Sequence, residues 1–191
     1  HTTIPLKSSI PITVGVENRC MTEGLNDKEA DKERQRWVDF VLSYRMTPVF
    51  GTQITPERWQ YEHSFSPWAW NDKRSIRLLN DRRYSCYMLP FFTLSENELA
   101  SLLCNIQKKG KLKESLFYIW DEPAYMEDYE QIKRKVNIIR KYASDARILT
   151  TFFCGPRNGP RKGDLYAVFD YLKHHIHVAT RSLAPCKGNE E

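Results

Sequence analysis

Hydrophobic and polar positions along the chain follow two alternating periods. Six runs are rich in β-branched and aromatic residues, and their first residues lie 29 to 39 positions apart. Segments with the 3.6-residue period of helices separate most of these runs, and a strand plus a helix about every 30 residues is typical of a parallel α/β fold. The predicted strands are Ile12–Glu17, Thr47–Gly51, Cys86–Phe91, Leu116–Trp120, Arg147–Phe153 and Ile176–Arg181.

The helical segments carry recognisable start and stop signals. Ser95 followed by Glu98 forms a capping box, and Gly110 after two lysines is a helix stop, so the pattern predicts a helix between them. Its apolar stripe is Leu99, Leu102, Leu103 and Ile106. The other predicted helices are Glu29–Arg45, with Trp37, Phe40, Val41 and Tyr44 as its apolar stripe, Asp128–Ala143 and Leu165–Lys173.

This order of elements fits two architectures, a doubly wound sheet and most of an eight-unit barrel. No G-x-G-x-x-G motif follows the first predicted strand, which removes the best argument for a dinucleotide-binding fold. We therefore expect an α/β chain that forms an incomplete (β/α)8 TIM-type barrel of about six strand–helix units. We expect one partial domain over residues 1–191, with a long insertion over 52–84 and an irregular tail over 183–191.

Composition narrows the function classes. With 41% hydrophobic residues the chain can bury a core, and no uncharged apolar run approaches the ~20 residues of a membrane helix, so no membrane span is expected. The 29 basic and 24 acidic residues leave a charge of +5, so a nucleic-acid partner would rest on a mild excess of charge alone. Five cysteines without a C-x-x-C motif indicate neither a zinc site nor a disulfide scaffold. The composition does not indicate the cellular compartment of the protein.

Two adjacent carboxylates, Asp121 and Glu122, follow the predicted strand Leu116–Trp120. Barrels place their reactive groups at this end of the strands. However, acids before a proline are also typical of a helix start, with Pro123 at the first helical position and the acids favoured by the helix dipole. The tripeptide by itself leaves both interpretations open.

The spacing of the two acids constrains any glycosidase mechanism. An enzyme that forms a covalent glycosyl intermediate needs carboxyl groups about 5 to 5.5 Å apart on opposite sides of the sugar. Neighbours in sequence flank a sugar poorly. They suit a substrate-assisted route, in which the 2-acetamido oxygen of the sugar is the nucleophile, one acid protonates the leaving oxygen and the other steadies the acetamido nitrogen.

Five segments together are similar to a known family: Leu42–Pro48, Ser66–Trp68, Phe117–Pro123, Tyr142–Thr151 and Cys154–Pro156. They resemble the catalytic barrel of glycoside hydrolase family 123 and its uncharacterised relatives. The resemblance spans about residues 10 to 182 and is most specific around the acidic pair. Characterised members of the family are retaining, substrate-assisted β-N-acetylgalactosaminidases that act on glycans.

This resemblance implies roles for both acids. Glu122 would be the general acid/base, and Asp121 would orient the acetamido group and stabilise the oxazolinium-like intermediate. The implied partner is a glycan substrate, and no metal or organic cofactor is implied. The family's barrel continues past the strand that matches Ile176–Arg181, so the chain looks like a truncated barrel, which a missing C-terminal segment or self-association would cover.

Four aromatic residues are candidates for contact with a sugar. Trp68 and Trp70 could stack on a sugar face, although packing of their loop on the rim of the barrel explains them equally well. Trp120 precedes the acids and Tyr125 follows them, but strand alternation could bury Trp120 instead.

The second functional hypothesis is a non-catalytic carbohydrate-binding or scaffold protein derived from a truncated barrel.

Overall fold

The computed structural model describes residues 5–54, 61–152, 156–159, 162–164, 172 and 178–181. The chain divides into two compact units, residues 1–116 and 117–191. The strands are β1 (Thr13–Glu17), β2 (Thr47–Gln53), β3 (Tyr61–Ser64), β4 (Tyr87–Leu89), β5 (Ser115–Trp120), β6 (Ile148–Phe152) and β7 (Val178–Arg181). The α-helices are α1 (Asn18–Thr22), α2 (Asp27–Ser43), α3 (Lys73–Leu78), α4 (Glu96–Lys108) and α5 (Met126–Tyr142).

The first unit contains a mixed sheet. β1 runs parallel to β2, with Thr13 opposite Thr47. β3 runs antiparallel to β2, with Phe50 opposite Ser64. β3 lies within the stretch 52–84 that the sequence marks as an insertion, and α3 lies there too. This stretch therefore contributes regular structure to the first unit.

The structure confirms the capping box that the sequence predicts at the start of α4. The Ser95 side chain accepts the Glu98 N–H, and the Glu98 carboxylate accepts the Ser95 N–H at 2.8 Å. This box satisfies two backbone donors that a helix start leaves unpaired. The predicted stripe is buried, as Leu99, Leu102, Leu103 and Ile106 show.

Helix α2 buries a different face from the one its aromatic residues predict. The helix begins at an Asn26 capping box and buries Ala30, Val38, Val41 and Leu42. Of the predicted stripe only Val41 belongs to this set, whereas Phe40 is 52% exposed and Tyr44 63% exposed. Small β-branched and aliphatic side chains fill the interior here, and the larger rings of Trp37, Phe40 and Tyr44 contact one another edge to face.

The second unit contains three parallel strands. β6 pairs with both β5 and β7. In β5 buried and half-buried residues alternate, with Phe117 and Ile119 buried, as a strand with one interior face requires. Helix α5 buries Tyr129, Ile132, Val136 and Ile139.

The expected incomplete barrel is wrong. In the part of the chain that the structure describes, the strands belong to two sheets and not one, they are too few for a (β/α)8 barrel, and they do not close. The antiparallel β3 is also foreign to that barrel. The spacing of about 30 residues reports only that strands and helices alternate. It says nothing of which strands pair or in which direction, and those two properties separate a barrel from other sheets.

Two sequence expectations fall at the edge of the described residues. The predicted strand Ile176–Arg181 corresponds to β7 from Val178 onward, and its first two residues lie outside the described residues. The predicted helix Leu165–Lys173 also lies outside them, apart from Leu172, which is buried. Across the described residues, none of the helices combines the length and the apolar character that a bilayer crossing demands.

Two neighbouring isoleucines on α5 test this account of the core. Ile139 is fully buried and Ile138 is 42% exposed. We expect Ile139→Ala to lower the free energy of unfolding by about 2–5 kcal/mol, because it leaves a cavity. Ile138→Ala should change it by less than about 0.5 kcal/mol. Urea denaturation measures both, and equal losses would contradict the assigned faces.

Candidate active site

The predicted acid pair lies at the carboxyl end of β5. Asp121 and Glu122 follow Trp120, the last residue of that strand, and both are exposed. Since β5 and β6 are parallel neighbours, their carboxyl ends lie at the same edge of the sheet. Thr151, near the end of β6, thereby comes within hydrogen-bond distance of Asp121.

Two hydroxyl groups hold Asp121, and we call Tyr118 and Thr151 the hydroxyl clamp. Tyr118 Oη and Thr151 Oγ1 each donate to Asp121 Oδ1 at 2.7 Å, and the two hydroxyl oxygens lie 2.8 Å apart. Thr151 Oγ1 also accepts the backbone N–H of Glu122 at 3.2 Å. The second oxygen of Asp121, Oδ2, has no hydrogen-bond partner among the described residues. The clamp therefore orients the carboxylate and leaves one oxygen for a ligand.

Burial keeps the tyrosine of the clamp in its donor form. Desolvation raises the pKa of Tyr118 far above its usual value, and the negative charge of nearby Asp121 raises the pKa further. A hydroxyl that stays protonated donates its hydrogen bond to Asp121 over the whole physiological range of pH.

A register shift lies beside the site. Tyr118 pairs with Leu149, but Trp120 pairs with Thr150, so β5 contains one extra residue between these pairs. Such bulges bend a strand, redirect the side chains that follow and are frequent next to active sites. Thr150 Oγ1 donates to the Trp120 carbonyl at 2.9 Å and fixes the bent end of β5.

The backbone at Glu122 is strained. Its φ angle is +47°, in the left-handed region that non-glycine residues rarely adopt. The Glu122 carboxylate makes no hydrogen bond to any described residue. A strained backbone that presents an exposed, unbonded carboxylate is the combination that functional sites often retain.

The helix-start interpretation of the acid pair is wrong. Helix α5 begins at Met126, three residues after Pro123, and the acids of its first turn are Glu127 and Asp128. Asp128 Oδ2 accepts the N–H groups of Ala124 and Tyr125 at 2.8 and 2.9 Å. The dipole of α5 therefore has its own acids, and the pair after β5 is not needed for it.

The other predicted residues divide between the two units. Trp120 is half-buried, and the Lys135 ammonium group lies 4.3 Å from the centre of its ring, so a cation occupies one face of that ring. Tyr125 precedes α5 and is 46% exposed. Trp68 and Trp70 belong to the first unit, where they line a cavity.

Pattern reading from the residues missed both members of the clamp as site residues. Tyr118 precedes Asp121 by three positions on one strand, and Thr151 lies 30 positions later on the next strand. The available signal was a hydroxyl at the end of a neighbouring parallel strand, which becomes informative only when the pairing of β5 with β6 is known. Asn158 was missed as well: its Oδ1 accepts the N–H of Met126 at 2.9 Å, at the start of α5.

The comparisons with known proteins leave the family open. No protein-family model matches the chain, and no curated protein matches it at a significant level. The resemblance to glycoside hydrolase family 123 therefore stays a prediction. Among the described residues, no three His, Cys, Asp or Glu side chains are grouped so that they could hold a metal ion.

The raised pKa of Tyr118 predicts how stability depends on pH. The folded chain keeps this proton while the unfolded chain releases it near pH 10, so the contribution of Tyr118 is complete below about pH 10 and is lost at higher pH. Tyr118→Phe should therefore lose less stability between about pH 10 and pH 12 than the wild type.

Urea denaturation at successive pH values measures this difference. Tyr84 and Tyr87 also have raised pKa values and remain in the variant, so a residual slope is expected. The control is Tyr44→Phe, whose side chain is 63% exposed. Identical slopes in the wild type and Tyr118→Phe would contradict the assignment.

The strain at Glu122 predicts a gain in stability. Glu122→Gly should raise the free energy of unfolding by about 0.5–1 kcal/mol, because glycine adopts a positive φ without a steric cost. Glu122→Gln keeps the side-chain bulk and should leave stability unchanged to within about 0.5 kcal/mol. Thermal unfolding of the two variants checks this, and a destabilised glycine variant would show that the conformation is not strained.

Proposed function

We propose that this protein is a glycoside hydrolase that cleaves β-linked 2-acetamido-2-deoxy sugars, such as N-acetylgalactosaminides, with retention of configuration. Glu122 is the general acid/base, and Asp121 holds the acetamido group of the substrate. The supporting observation is the hydroxyl clamp, which fixes one oxygen of Asp121 next in sequence to Glu122, whose carboxylate has no hydrogen-bond partner among the described residues. The resemblance of the surrounding segments to glycoside hydrolase family 123 supports the same chemistry.

The first step uses both acids at once. The acetamido carbonyl oxygen of the substrate attacks the anomeric carbon, and the bond from that carbon to the leaving oxygen breaks. Protonated Glu122 gives its proton to the leaving oxygen. Asp121 accepts a hydrogen bond from the acetamido N–H through Oδ2 and stabilises the positive charge that develops on the oxazolinium-like ring.

In the second step the ring opens. The Glu122 carboxylate takes a proton from water, and the water oxygen attacks the anomeric carbon from the side that the leaving group vacated. The acetamido group is restored and Glu122 is protonated again. The two displacements together retain the configuration at the anomeric carbon.

The clamp gives the two acids of the pair different surroundings. Two hydroxyl donors fix Oδ1 of Asp121, and Tyr118 and Thr151 are anchored on paired strands. The Glu122 carboxylate lacks such donors among the described residues. An oriented carboxylate beside an exposed one suits a charge-stabilising residue next to an acid/base residue.

Hydrolysis of β-N-acetylgalactosaminides tests the proposal directly. With a poor alkyl leaving group, Glu122→Gln should reduce kcat/KM by about 10²- to 10⁴-fold, because the proton donor is lost. An activated aryl leaving group needs less protonation, so its loss should be smaller. Asp121→Asn should lose activity on both substrates.

A matched carboxylate variant provides the control. Glu130→Gln changes an exposed acid of α5 whose carboxylate lies 3.9 Å from the Lys133 ammonium group, and it should keep full activity. Full activity in Glu122→Gln or Asp121→Asn would reject the assigned roles. A wild-type protein that releases no aglycone would reject the enzyme and favour a non-catalytic carbohydrate-binding protein.

A further inference from the structure

Thr151 bonds to both acids of the pair through one hydroxyl group. Its Oγ1–H donates to Asp121 Oδ1 at 2.7 Å, and the same oxygen accepts the backbone N–H of Glu122 at 3.2 Å. A hydroxyl group has one proton and two lone pairs, so it can make both bonds at once. Tyr118, the other residue of the hydroxyl clamp, donates to the same Oδ1 at 2.7 Å. Removing the Tyr118 hydroxyl therefore takes one donor from Asp121 and leaves the bond of the Glu122 N–H in place.

The bond from Glu122 to Thr151 lies at the strained point of the chain. The φ angle of Glu122 is +47°, a conformation that persists only where the surroundings hold it. The hydrogen bond fixes the plane of the peptide group that precedes Glu122, and this plane together with φ sets the direction of the side chain. Among the described residues the carboxylate of Glu122 has no hydrogen-bond partner, so within this part of the chain its position depends on the backbone.

Thr151 itself lies on a well-supported strand of the second unit. Its strand, β6, pairs with β5 on one side and with β7 on the other, and Thr151 is opposite Thr180 of β7. The preceding residue, Thr150, donates to the Trp120 carbonyl at 2.9 Å. Two neighbouring threonines of β6 therefore bond three consecutive residues, 120 to 122. A side chain on a paired strand is placed more precisely than one on a loop.

The charges of both acids act on the hydroxyl clamp. Burial is the main reason for the raised pKa of Tyr118, and the negative charges of Asp121 and Glu122 raise this pKa further. The Tyr118 hydroxyl oxygen is 2.8 Å from Thr151 Oγ1. The two carboxylates and the two hydroxyl groups therefore form one electrostatic cluster at the edge of the sheet.

We propose that Thr151 is a positioning residue for both acids. Its hydroxyl orients the Asp121 carboxylate and, through the Glu122 N–H, also sets the backbone that carries the Glu122 side chain. Loss of this one hydroxyl should disturb the charge-stabilising group and the proton donor together, whereas loss of the Tyr118 hydroxyl should disturb only the first. The effect on hydrolysis rests on the proposed function, but the effect on the Glu122 backbone does not.

Two nearly isosteric variants, compared on two leaving groups, test this role. Thr151→Val and Tyr118→Phe each remove one donor from Asp121, and only Thr151→Val also removes the acceptor of the Glu122 N–H. Tyr118→Phe should lower kcat/KM about two- to tenfold on alkyl and aryl N-acetylgalactosaminides alike, as expected for one hydrogen bond. Thr151→Val should lower it about 10- to 100-fold on the alkyl substrate and less on the aryl substrate, because a displaced Glu122 matters most where the leaving oxygen needs a proton.

Thr151→Ser is the matched control, because it removes a methyl group and keeps the hydroxyl. It should retain kcat/KM to within about threefold on both substrates, since both hydrogen bonds remain. If Thr151→Val does not fold, Thr151→Ala removes the same hydroxyl without bringing a methyl group towards Asp121, and the same losses are expected. Equal losses on the two substrates, or a serine variant as impaired as the valine variant, would overturn the proposal.

The backbone amide of Glu122 provides a readout that needs no substrate. In ¹⁵N-labelled protein, Thr151→Val should shift the Glu122 amide proton upfield and speed its exchange with solvent, because this amide loses its acceptor. Thr151→Ser and Tyr118→Phe should keep the exchange rate of the wild type. An unchanged Glu122 amide in Thr151→Val would overturn the proposal. A wild-type protein without hydrolase activity would reject the proposed function alone, and the amide measurement would still decide whether Thr151 positions Glu122.

Discussion

The parallel pairing of β5 with β6 is the constraint on which the acid pair depends. It places Thr151 beside Asp121, although 30 positions separate them in the chain. Tyr118 reaches the same carboxylate oxygen from its own strand. With the strands in another order, Asp121 would keep only the hydrogen bond from Tyr118 and lose the one from Thr151. The paired strands make it a carboxylate of defined orientation, which is what a charge-stabilising group requires.

The irregular backbone at this edge of the sheet is consistent with a functional role. The bulge in β5 and the positive φ of Glu122 each depart from regular geometry, and neither is needed to start α5, whose first turn is served by Asp128 and Asn158. Local strain persists where the surroundings hold it in place. Here the surroundings are hydrogen bonds from Thr150 and to Thr151.

The first unit places some aromatic side chains differently from what hydropathy suggests. Phe40 on α2 and Tyr44 at its C-terminal cap are exposed, while Val38 and Leu42 are buried. A period of 3.6 residues identifies the helix but fits more than one face when apolar residues are spread around it. Trp68 is held by the hydrogen bond from its Nε1–H to Asp31 as well as by the burial of its ring.

Local interactions made much of this protein predictable from its sequence. Capping boxes, strand alternation and the position of Asp121 and Glu122 at the end of a strand depend on residues within a few positions of one another. The tertiary structure alone decided that the described strands form two open sheets and not one barrel, that β3 runs antiparallel, and that Thr151 joins Tyr118 at Asp121. These outcomes depend on contacts between residues 30 or more positions apart or on the choice between equivalent pairings. The periodicity of a sequence carries no information on distant contacts or on which strands pair.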